Sequence, residues 1–144
     1  FLQQLIKQQK TDLELIYNTN LSRLTYQNRD AIDLWKHFKK IRLMLSLDGW
    51  GAQGEYIRKG FITEKFEENL KRILNSDLRI EVRLHITVSA LNAFHLVPLL
   101  KTLIEKKYLG LNKGQFKEFD FGLLIFLEGL DVLHRAHFFQ LIVR

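Results

Sequence analysis

The sequence predicts an α/β protein whose strands run parallel and are joined by crossover helices. Three observations carry this. Short apolar, β-prone runs begin near residues 13, 41, 80 and 119. A helical stretch lies between each successive pair. The run at 79–88 also alternates strictly, with Ile80, Val82, Leu84 and Ile86 on one side and Glu81, Arg83, His85 and Thr87 on the other. Period two is the signature of a strand, and strands separated by helices pair in parallel.

The elements follow in order. Residues 1–10 place Leu2, Leu5 and Ile6 on one helical face, and 13–17 form the first strand, ending in the polar tip Asn18, Thr19 and Asn20. Asp30 is an N-cap for a helix that turns Ala31, Leu34, Trp35 and Phe38 inward. Residues 41–45 form the second strand, followed by Ser46-Leu47-Asp48-Gly49 and a glycine-rich loop. Thr63 is expected to cap the next helix, whose stripe is Phe66, Leu70, Ile73 and Leu74. Glu67 with Lys71 and Glu68 with Arg72 are i,i+4 pairs on its outer side. Residues 79–88 form the third strand. After Asn92 comes a helix with Pro98 in its first turns; Leu96, Leu99, Leu100, Leu103 and Ile104 face inward and Gly110 lies beyond its end. Residues 119–127 form the fourth strand.

The composition of the 144 residues narrows the chemistry. With 47% apolar and 26% charged residues the chain is globular. With no cysteine it has no disulfide, no thiolate nucleophile and no Cys-ligated zinc or iron–sulfur cluster of its own. No apolar run reaches the roughly 18 residues of a membrane span, and the chain is read as cytoplasmic. The net charge of +6 is dispersed over helix surfaces, as at Lys7, Lys39, Lys71 and Lys106, which argues against a nucleic-acid partner. The start inside an amphipathic helix reads as a piece of a longer protein.

Polar residues cluster after the first three strands: Asn18, Thr19 and Asn20; Ser46, Asp48 and Gly49; Thr87, Ser89 and Asn92. Ligands of parallel α/β proteins bind where such strand ends converge. Glu55 and Arg58 follow in the glycine-rich loop, where an amino-acid moiety would satisfy both, or where they form a surface ion pair. Gly49, Gly51 and Gly54 spell G-x-G-x-x-G, the fingerprint of an NAD-dependent oxidoreductase. That motif needs a helix opening at once, whereas residues 55–60 are expected to intervene as loop before Thr63, and no acidic residue ends the following strand. His134 and His137 share a helical spacing, but no carboxylate completes a metal set.

Ser46-Leu47-Asp48-Gly49, then Glu55-Tyr56-Ile57-Arg58-Lys59-Gly60, then Phe66 to Leu70 with Asn69, closely resemble the middle of radical S-adenosylmethionine (SAM) enzymes with a twitch or SPASM extension. Tyr17-Asn18-Thr19-Asn20 is similar to that family's third strand end, and Thr87-Val88-Ser89 with Asn92 to its fifth. The resemblance covers residues 13–107. It implies part of a (β/α)6 TIM-like barrel over residues 1–128, with 129–144 an unassigned tail. It also implies SAM as cofactor, a [4Fe–4S] cluster, 5′-deoxyadenosyl-radical chemistry on a small-molecule or peptide substrate, and a reductant protein. By resemblance, Ser46 contacts the SAM ribose or amino-acid portion, Arg58 its carboxylate, and Asn18 and Asn20 the ribose or substrate. Thr87, Ser89 and Asn92 line the adenosyl side, Glu55 orients Arg58, and Asp48 and Gly49 shape the turn. The family's C-x3-C-x2-C is absent, so this chain alone cannot hold the cluster. It is a fragment, or a cluster-free module binding a nucleotide or peptide.

Overall fold

A computed structural model describes residues 1–108 and the strand at 121–125. The elements are α1 (Leu2–Lys7), β1 (Glu14–Thr19), β2 (Thr25–Tyr26), β3 (Arg29–Asp30), α2 (Ala31–Trp35) and β4 (Lys40–Ser46). They continue with α3 (Gly51–Ile57), α4 (Thr63–Leu74), β5 (Ile80–Val88), a 3-10 turn (Ala93–His95), α5 (Leu96–Glu105) and β6 (Phe121–Ile125). The His134 and His137 pair, Gly110 and the 129–144 tail lie outside the described residues.

The four main strands form one sheet in the order β1-β4-β5-β6, every neighbour parallel. Spatial order equals chain order, so there is no reversal point of the kind that marks a doubly wound sheet. Successive strands are laid down in one direction, as around a barrel wall, and the four described strands do not close.

One face of this sheet makes the core. Ile41, Leu43 and Leu45 of β4 and Ile80, Val82, Leu84 and Ile86 of β5 are buried in the same cluster as Trp35, Phe66, Leu70, Ile73, Leu99 and Leu103 of the helices. Each such side chain contributes about 1.5–3 kcal/mol by leaving water. The amphipathic stripes of α4 and α5 therefore decide on which face the crossovers fold back. Ile104 departs from the expected inward stripe and is 59% exposed, because the helix turns that position to solvent.

The other face is polar. Register places Ile16, Arg42 and Glu81 in one row and Asn18, Met44 and Arg83 in the next, with Ser46 beside His85 beyond them. Glu81 accepts from Arg83 Nε at 2.7 Å and pairs with Lys40 at 3.2 Å; Glu14 pairs with Lys40 at 3.1 Å and Arg42 at 3.0 Å. Arg42 Nε lies 3.1 Å from Glu81 Oε2 but off the N–H axis, an ion-pair contact without an aligned hydrogen bond. Burial alone would push the Glu81 carboxyl up; the cationic side chains of Arg83, Lys40 and Arg42 around it outweigh burial and hold the pKa at about 2.

Helix ends are closed locally. Asp30 caps α2 as expected, accepting from Ile32 N–H at 2.9 Å. Thr63 is not a cap: α4 is entered from Ile62, and Glu55 Oε1 accepts the Thr63 N–H at 3.0 Å from eight residues upstream. The end of α5 is a Schellman motif on Lys107 (φ 60), with Tyr108 N–H donating to the Leu103 carbonyl at 2.8 Å. Tyr108 also donates to Glu67 at 2.8 Å, and Lys106 stacks 5.2 Å over Trp50, fastening α5 to α4 and α3. The β2–β3 hairpin, turning through Gln27 and Asn28 at φ 48 and 59, was not anticipated from sequence.

Candidate functional site

The carboxyl ends of β4 and β5 are joined by one polar network. Asp48 is its centre. Its Oδ1 accepts the Thr87 N–H at 3.0 Å, its Oδ2 accepts from Arg58 Nε at 3.2 Å and also from Arg58 Nη2, and its backbone carbonyl accepts from Asn92 Nδ2 at 2.9 Å. Asn92, 3% exposed, donates the other amide hydrogen to the Thr87 carbonyl at 2.7 Å and accepts the Ser89 N–H at 2.7 Å. Two loops 39 residues apart in sequence are thus held at hydrogen-bond distance. Gln53 adds a third tie, donating to the Leu91 carbonyl at 3.2 Å.

The backbone of this edge depends on glycine. A Cβ on Gly54 would stand 2.4 Å from the Gly49 carbonyl oxygen, and Gly51 sits at φ +61. These contacts let α3 open at Gly51 behind β4, so Glu55, Tyr56 and Ile57 are helical where loop was expected, while residues 58–60 are loop as expected. One premise against the dinucleotide fingerprint thereby falls. The other stands, since β5 ends in Thr87 and Val88 without an acid. Here two of the three glycines serve the close approach of α3 to the β4 end.

The structure brings Ser46, Arg58, Thr87, Ser89 and Asn92 to one edge. Ser46 lies on the polar sheet face next to His85. Arg58 closes α3, its N–H donating to Gly54 at 3.0 Å. Glu55 does not orient Arg58, which pairs with Asp48 instead; Glu55 turns toward α4. The reason is geometric: Arg58 leaves the helix at an extended conformation (φ −119, ψ 100), which separates it from the side chain one turn back. Asn18 lies on the exposed polar face of β1, opposite Met44. Asn20 stays local, accepting the Ser22 N–H at 3.1 Å, while Thr19 accepts the Leu21 N–H at 3.0 Å. Leu21, fully buried at φ 51, is held by Asn69, which donates to its carbonyl at 2.7 Å. Asn69, within the stretch that carries the resemblance, thus braces the loop after β1.

The sequence places Asp48 among the polar strand ends and, by resemblance, has it shape the turn; its part as the centre of this network was missed, as were Arg83 and His85 as candidate site residues. The alternation of β5 already put Arg83 and His85 on the side away from the core, which was the available signal. A cleft lined by Trp50, Gln53, His95, Pro98, Leu99 and Thr102 lies between α3 and α5; at about 110 Å³ it is too small for a nucleoside. Among the described residues no group of three metal-ligating side chains converges, and no helix is long and apolar enough to cross a membrane.

These features define a singly wound parallel α/β protein with a cross-linked polar edge at its strand ends. Comparison with protein-family models, curated proteins and solved structures finds no match to this chain.

Proposed function

We propose that this chain is the central and C-terminal part of a radical SAM barrel and contributes contacts to SAM and substrate. One observation carries the reading: the Arg58 guanidinium is anchored on one side by Asp48, and its remaining N–H groups are free among the described residues at a strand-end edge. Such a fork suits the carboxylate of an amino-acid moiety. Ser46 at the end of β4 and Asn18 on β1 supply a hydroxyl and an amide on the polar face of the sheet. The sequential parallel strand order agrees with a barrel wall and also with an open sheet of the same winding.

SAM, when bound, supplies a sulfonium whose reductive cleavage requires an iron–sulfur cluster. The cluster does not fit the residues present, because the chain has no cysteine. No chemical step is therefore assigned to it here, and its thiolates would come from polypeptide outside these residues. The residues of this chain bind and orient; Asp48, Asn92 and Thr87 keep the edge in shape. The same lack of cysteine favours a second reading, a cluster-free module that binds a nucleotide or peptide.

Two measurements decide. Calorimetric titration of the protein with SAM is expected to show saturable 1:1 binding, and a flat titration refutes both the SAM contacts and the family reading. Anaerobic cluster reconstitution of the protein encoded by the whole gene, followed by detection of 5′-deoxyadenosine, separates the enzyme from the cluster-free module.

A further inference from the structure

The guanidinium of Arg58 has five N–H groups in a fixed plane. Asp48 Oδ2 engages Nε at 3.2 Å and one hydrogen of Nη2, so the side edge of the fork is occupied. The end edge, where Nη1 and Nη2 each direct one N–H outward in parallel, has no acceptor among the described residues. The Asp48 side chain is 11% exposed and that of Arg58 31%, so the carboxylate is the more deeply buried of the pair. Asp48 is itself fixed, by the Thr87 N–H at 3.0 Å.

We propose that Asp48 is a positioning residue: it turns Arg58 so that the Nη1–Nη2 edge faces a ligand carboxylate. A free arginine side chain has several rotatable bonds, and holding it beforehand removes that ordering cost from binding. The inference rests on Arg58 being the carboxylate contact of the proposed SAM site. It extends that reading to a residue that makes no ligand contact.

The test is Asp48→Asn, which keeps an acceptor for the Thr87 N–H and removes the charge that holds Arg58. Two ligands are titrated: SAM, and 5′-methylthioadenosine, which lacks the amino-acid moiety. Asp48→Asn is expected to weaken SAM binding ~10-fold, the scale of one charge-assisted hydrogen bond, and to leave 5′-methylthioadenosine unchanged. Arg58→Ala should do the same or more, and the double variant should be no weaker than Arg58→Ala. An equal loss for both ligands, or additive losses, overturns the proposal in favour of a purely structural Asp48. In the ligand-free protein, the Arg58 Nε–H resonance should be slow to exchange in the wild type and lost in Asp48→Asn. An unchanged resonance overturns the positioning role whatever the ligand. A wild type that binds no SAM overturns the parent reading and the ligand half with it, while the resonance still judges the positioning half alone. Should Asp48→Asn not fold, Arg58→Lys keeps the charge without the fork and must show the same selective loss of SAM.

Discussion

Replacing Gly54 by Ala tests how the carboxyl edge is built. The added Cβ would lie 2.4 Å from the Gly49 carbonyl oxygen and 2.7 Å from its carbon. Both are backbone atoms, and both are roughly 1 Å inside the ordinary contact distance of about 3.5 Å. Neither can rotate aside, so α3 must move off the end of β4. Overpacking of this kind costs about 1–3 kcal/mol when side chains can yield and more when backbone must. We expect about 3 kcal/mol, or roughly a 10 °C drop in Tm. The comparison is Gly51→Ala, where a Cβ meets nothing within 4 Å and only φ +61 opposes it; that strain costs about 1–2 kcal/mol. Chemical denaturation of the two variants beside the parent measures both. The reasoning is refuted if Gly54→Ala is as mild as Gly51→Ala, because the close approach would then not exist.

Further outcomes follow from the ion pairs and the buried amide. Burial would raise the Glu67 carboxyl, but hydrogen bonds from Lys106, Tyr108 and Lys71 outweigh it and hold the pKa at about 2 against an ordinary 4.5. A depressed carboxylate stabilises the fold above pH 4.5, and this contribution is lost as the pH falls toward 2. Full linkage would give about 3 kcal/mol, but Lys71 and Lys106 are 59% and 37% exposed, and screening lowers this to about 1–2 kcal/mol. Glu67→Gln should therefore be less stable than the parent at neutral pH, and the gap should close between pH 5 and 2 in pH-resolved denaturation. A constant gap contradicts the assignment. Asn69→Ala leaves the buried Leu21 carbonyl without its 2.7 Å donor, and should cost about 1–3 kcal/mol in urea melts. Glu55→Gln keeps an acceptor for the Thr63 N–H and should stay within about 0.5 kcal/mol, whereas Glu55→Ala should lose about 1 kcal/mol of capping.

Much of the sheet was legible because strand periodicity is local. The alternation of residues 80–88 names both the core face and the polar face without reference to any other strand. The cap at Asp30 and the stripe of α4 were readable for the same reason. Helix α3 was not. Its sequence carries two glycines, which disfavour helix, and it has no strong apolar stripe. It forms because Gly54 can lie against Gly49 and because Trp50 at its start packs edge-on to Phe66 at 6.1 Å. Glu55 and Arg58, read as sharing one loop, suggested a pair, but α3 ends at Ile57 and sends the two side chains apart.

The sequence by itself determined the α/β class, the alternation of strand and helix, the faces of β5 and the gathering of short polar residues after the strands. These follow from the period of apolar side chains and from the conformational preferences of single residues. It also determined that no thiolate chemistry arises within this chain, since composition alone decides that. Only the tertiary structure decided which polar residue organises the edge. Asp48 meets Thr87 and Asn92 because β4 and β5 pair in a fixed parallel register, a contact that no local pattern encodes. The same register sets Ser46 beside His85 and leaves Arg58 with one edge of its guanidinium held and the other free among the described residues.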